Sequence, residues 1–151
     1  MESNTKNREL LITRTLNAPI DLVWEVWTKP EHLANWWGPN GFTNTIVTMD
    51  MVPGGKFHLT MHGPDGTDYV NKSTYKEVIK HKRISYEHFN PGFVATIDFE
   101  AKGDQTQITW HMLFDTEELL KALIKAHNVS DGLRQNLEKL SMYLHNQINK
   151  L

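Results

Sequence analysis

The chain has no cysteine. That excludes a disulfide framework, a thiolate nucleophile and a thiolate metal site, and suits a reducing compartment. It also lacks an excess of charge: 16 Lys and Arg against 18 Asp and Glu leave a formal net charge of -2, and the charges are scattered. Such a balance gives no grip on a phosphate backbone or an anionic membrane, so no nucleic-acid partner is expected. Long apolar runs are missing as well. The opening MESNTKNRELLITRTL is polar up to Glu9 and has no export-signal segment, and no later run reaches membrane-spanning length. A cytoplasmic protein with no membrane insertion is the expectation. Two glycosylation tripeptides, Asn71-Lys72-Ser73 and Asn128-Val129-Ser130, then read as chance matches, because an unexported chain never meets the modifying enzyme.

Most catalytic signatures are missing too. Of eight histidines, His58 and His62 share a strand face but stand about 13 Å apart, too far to bind one ion together. With no H-E-x-x-H and no acidic loop of calcium spacing, no metal and no cofactor are expected. No serine sits in a glycine-framed elbow. GPDG and PGG are turns between strands, not strand-to-helix loops that aim N-H groups at a phosphate. For acid-base chemistry the candidates are Glu87, His88, Asp98 and His111. Alternation turns Asp98 and His111 away from the core residues of their own strands. His88, in phase with Ile84 and Tyr86, is the best polar group for the interior and the candidate catalytic residue; the competing reading is a satisfied structural histidine.

What is present is a regular pattern. Residues 1–8 are expected to be a disordered tail and 9–151 a single domain, since a chain of 151 residues suffices for one core. ELLITRTLNA reads as a strand. Pro19 fits the first turn of a helix carrying Ile20, Val23, Trp24 and Trp27 on one stripe, and Pro30 opens a short second helix towards Trp36 or Trp37. From Phe42 the chain falls into runs separated by turn residues, with strands at about 43–51, 55–62, 69–80, 83–90, 93–102 and 105–114. Asp115 and Glu118 resemble a capping box before a short helix. After a break at Asn128, Leu133, Leu137, Leu140, Leu144 and Ile148 mark a long amphipathic helix. Antiparallel hairpins with segregated helices make an α+β domain. One helix cannot cover a flat sheet of six or seven strands, so the sheet should curl around it and leave a space that is either filled or a pocket.

The adjacent Trp36 and Trp37 point about 100° apart on a helix, so both cannot face one flat core. One is expected to complete the core and the other to stand at the cavity entrance, with Gly38 to Gly41 turning the chain beside it. The alternative is that both simply pack.

Several motifs, in order from Leu10 to Leu144, resemble the START-like (SRPBCC, helix-grip) superfamily. Within it they resemble the branch named after the C-terminal domain of the activator of the ninety-kilodalton heat-shock chaperone ATPase. They are Ala18-Pro19 with Val23-Trp24, WWGPNGF, VPGGKF, GPDG, YKEV, RISY and GLRQNLEKLSMYL. Leu133 stands where such proteins usually carry an aromatic. The resemblance implies a curved antiparallel sheet of six to seven strands wrapped around a long C-terminal helix, with two short helices after the first strand. It also implies a cavity for an apolar or aromatic small molecule, lipid or polyketide-like, and no fixed reaction. Together with alternation it nominates Trp24, Trp27, Trp36, Trp37, Phe57, Met61, Tyr86, His88, Ile97, Trp110, Met112, Leu133, Leu137 and Leu140 as cavity residues. A cyclase- or hydrolase-like enzyme acting in that cavity and a chaperone-interaction module are the alternatives. A monomer or weak homodimer is expected.

Overall fold

The computed structural model describes residues 6–150. Its strands are β1 (Glu9–Leu16), β2 (Thr43–Met49), β3 (Lys56–His62), β4 (Asp68–Ile79), β5 (Arg83–His88), β6 (Phe93–Lys102) and β7 (Gln105–Phe114). Helices α1 (Ile20–Thr28) and α2 (Pro30–Leu33) separate the first two strands, and α3 (Glu117–His127) and α4 (Val129–Ile148) follow the last. The strands form one antiparallel sheet in the order β1-β7-β6-β5-β4-β3-β2. From β2 onward, short turns make neighbours in sequence neighbours in space. β1 instead pairs along its whole length with β7, from Glu9 opposite Leu113 to Leu16 opposite Thr106. The α1–α2 connection therefore carries the chain from one edge of the sheet to the other, tied to β7 by the Thr106 hydroxyl, which donates to the Ala18 carbonyl at 2.9 Å.

The sheet buries one face because its apolar residues recur with period two. Phe57 and Leu59 on β3, Ala95, Ile97 and Phe99 on β6, and Ile108, Trp110 and Phe114 on β7 are all buried. Against that face α4 packs its stripe: Leu133, Leu137, Leu140 and Leu144 are buried and Ile148 is half-buried. Each such side chain contributes about 1.5 to 3 kcal/mol when fully withdrawn from water. This is the helix-grip α+β architecture, with seven strands.

Three local expectations need correction. Pro19 is the residue before α1, not within it: it is extended (φ -70, ψ 156), and its carbonyl accepts the first helical bond from Val23. The cap of α3 is Thr116, whose hydroxyl accepts from the Leu119 amide at 3.0 Å, so the capping pattern lies one residue beyond Asp115. Of the expected disordered tail, residues 1–5 lie outside the described residues, while Lys6–Arg8 form a 3-10 turn. There the Arg8 guanidinium donates to the Phe114 carbonyl at 2.8 Å, which orders this end of the chain against the last strand.

Candidate functional site

Strand register builds the site. Phe57, Ser73, His88, Phe93 and Phe114 stand opposite one another in turn, forming one row across β3, β4, β5, β6 and β7 on the buried face. Between this end of the sheet, the loop Trp37–Pro39 and the start of α4 lies a cavity of about 220 Å³. Its lining is mainly apolar, with Leu59, Met61, Trp110, Met112, Leu123 and Leu133 joining the aromatics of the row.

The wall formed by the loop is fixed by polar residues of α4. The Asn136 amide donates to the Trp36 carbonyl at 2.8 Å and its oxygen accepts from the Gly38 amide at 3.1 Å. Gln135 accepts from the Asn40 amide, and the Lys139 ammonium donates to the carbonyls of Trp37, Pro39 and Phe42. Burial holds the Lys139 pKa below its ordinary value. Gly38 and Gly41 have φ of +90° and +84°, which lets the loop turn sharply enough to meet the helix.

This clamp resolves the tryptophan pair. Trp36 is fully buried, its indole donating to the Val26 carbonyl at 3.1 Å, and it does not line the cavity. Trp37 lines it, but as an inner wall and not a gatepost. It is 8% exposed, and its ring touches Trp27, Trp36, Phe57, Tyr86 and Trp110.

Of the residues nominated from sequence, Trp37, Phe57, Met61, Tyr86, His88, Trp110, Met112 and Leu133 come together around the cavity. Trp24, Trp27, Trp36, Ile97, Leu137 and Leu140 do not. Trp24 packs edge-on to Phe99 and His81, and the other five are buried in the core deeper along the sheet. Sequence reasoning passed over Leu59, Phe93 and Phe114, although each shares a strand phase with a nominated residue. It also passed over Asn71 and Ser73, whose polarity suggests the solvent face, and Asn136, a polar residue three after Leu133 on the apolar stripe.

His88 is the most informative of these groups. It is 4% exposed, stacked on Phe93 at 4.8 Å, and its Nδ1 donates to the Pro91 carbonyl at 2.7 Å. Burial pulls its pKa below the usual histidine value, and the Pro91 bond offsets this only in part. The unfolded chain thus binds this proton more readily than the folded one. The stability held by the neutral imidazole is intact above about pH 6.5 and is lost as pH falls below it. Urea titrations should show a lower midpoint at about pH 5 than at about pH 7.5, with the difference reduced in His88→Phe. An unchanged difference would assign the acid sensitivity to other groups.

Asp98 and His111 lie on the outer face, Asp98 ion-paired with Arg83 at 2.6 Å and His111 in hydrogen-bond contact with Glu9 at 2.8 Å. On that face too, Thr45, His62 and Asp68 form a hydroxyl–imidazole–carboxylate chain with two 2.7 Å contacts, well exposed to solvent. Among the described residues no three His, Asp or Glu could share a metal ion, and no helix is long and apolar enough to cross a membrane.

Comparison with known proteins matches residues 17–145 to the family model described as Activator of Hsp90 ATPase homolog 1-like protein. No curated protein matches the sequence. Among solved structures, a protein from Arthrobacter aurescens is 22% identical, covering 96% of this chain and 90% of its own, with a TM-score of 0.87. One from Nitrosomonas europaea is 24% identical over 95% of this chain and 97% of its own, with a TM-score of 0.86. An AHSA1-like protein from Aeromonas hydrophila is 19% identical over 91% and 94%, with a TM-score of 0.73. These likenesses establish the fold.

Proposed function

We propose that this chain, which belongs to the family of Activator of Hsp90 ATPase homolog 1-like proteins, binds a compact apolar or aromatic molecule between its sheet and α4. The observation that carries the reading is the cavity itself, about 220 Å³ and walled by aromatic and aliphatic side chains with few polar groups. Pockets for small molecules have this character. Its size narrows the class: an apolar cavity of about 150 Å³ accepts benzene, whereas drug-sized ligands need roughly 300 Å³ or more. A single or fused ring pair suits the space better than a lipid or a polyketide. An enzymatic reading, in which His88 moves a proton of the bound molecule, rests on the same cavity and is separated from simple binding by whether a His88 substitution abolishes turnover.

Native mass spectrometry of the chain after incubation with small-molecule extracts tests the proposal. A retained mass is expected, and Leu133→Trp, which fills the cavity from α4, should remove it while leaving the denaturation midpoint nearly unchanged. A mass retained equally by that variant would place the ligand elsewhere, and no retained mass across varied extracts would favour a chaperone or other protein partner.

A further inference from the structure

We infer that the cavity selects compact aromatic molecules bearing an N–H or O–H donor, the indole and phenol class, with the donor meeting Nε2 of His88. The inference rests on the cavity reading above and adds the chemistry of recognition. The Pro91 carbonyl can only accept, so the proton of their 2.7 Å contact belongs to Nδ1. A neutral imidazole has one N–H, which leaves Nε2 as a lone-pair acceptor. That nitrogen is buried and has no hydrogen-bond partner among the described residues.

Buried polar atoms are nearly always paired, because an unmatched acceptor forfeits its bond to water. His88 cannot readily turn to find a partner: it is stacked on Phe93 with an interplanar angle of 15°, and its other nitrogen is tied to the chain. Its register neighbours are Ser73 on one side and Phe93 on the other, and neither donates to it. The imidazole itself lines the cavity, from which a bound molecule would approach it. A second cavity residue repeats the pattern in the opposite sense. The Trp110 indole N–H is also buried and without an acceptor among the described residues, as is that of Trp27 outside the cavity lining. A purely hydrocarbon occupant would leave the histidine unmatched, whereas a ring with a donor on its edge satisfies it and shields the apolar walls.

The test compares isosteric pairs on the full chain. Dissociation constants of indole against indene, and of 2-naphthol against naphthalene, would be measured by calorimetry or tryptophan fluorescence for the natural protein and for His88→Leu. The donor-bearing member of each pair should bind the natural protein about tenfold or more tightly, and the gap should close in His88→Leu. Should that variant not fold, the pairs on the natural protein still decide. Equal affinities within each pair would overturn this inference and leave the cavity reading standing. A gap that persists in folded His88→Leu would overturn it by placing the donor elsewhere. If none of the four binds and no extract yields a retained mass, the cavity reading falls and this inference with it.

Discussion

Replacing Trp36 by alanine should lower the unfolding free energy by about 3 to 5 kcal/mol, a large share of what a domain of this size possesses. The indole is fully buried, with ring centroids 4.7 Å from Trp27 and 5.6 Å from Trp37. Its removal opens a void inside packed aromatics and leaves the Val26 carbonyl without the indole donor it accepts from. Trp37→Ala has a different expected outcome. Trp37 borders space that already exists, so the deletion enlarges the cavity towards Trp27 and Trp36, costs less stability than Trp36→Ala, and changes which ring sizes bind. Guanidinium denaturation of the two variants separates these roles. Equal losses would mean that Trp37 is core alone, and a loss below about 1 kcal/mol for Trp36→Ala would contradict its placement.

Gly55→Ala should be nearly as damaging, at about 3 kcal/mol or more, for a reason of space and not of conformation. A methyl group on Gly55 would lie 2.0 Å from the Asp50 carbonyl oxygen and 2.9 Å from that of Val52. Both obstacles are backbone, and both belong to the turn joining β2 to β3: Val52 donates to Asp50 and Gly55 donates to Val52. The turn is also docked on β4, since Gly54 donates to the Tyr75 carbonyl and the Tyr75 amide donates to Gly55. Gly54→Ala is the control. Gly54 has φ of +84° with nothing among the described residues within 4 Å of an added methyl, so its substitution carries left-handed strain, about 1 to 2 kcal/mol. Thermal or denaturant midpoints that are equal for the two variants would disprove the close approach at Gly55.

The fold was largely readable from sequence because turn residues punctuate every hairpin and strand alternation assigns faces without knowledge of the tertiary structure. His88 shows how far that extends: its phase with Ile84 and Tyr86 correctly predicts that it points inward. Depth along the face is another matter. Ile84, Ile97 and Trp110 share a register row, yet only Trp110, with the longest side chain, lines the cavity. Period two distinguishes inside from outside but not the filled end of a curved sheet from the open one, so it groups Ile97 with the lining residues; the apolar stripe of α4 is equally silent on depth and groups Leu137 and Leu140 with Leu133. Ser73 was invisible for the converse reason. A small polar residue on a strand suggests solvent, and only its register between Phe57 and His88 reveals that it is buried.

The pairing of the first strand with the last bears on how the chain is made. Glu9 stands opposite Leu113, and the intervening residues supply every other strand of the sheet. Among the described strands β1 leaves the ribosome first and β7, its one partner among them, leaves last, so its backbone groups have no ladder to join until β7 has been synthesised. Closing so distant a contact is also the slow step expected of a non-local topology. β1 is thus the strand whose exposure during synthesis lasts longest: the first strand of the sheet to be written is the last to be paired.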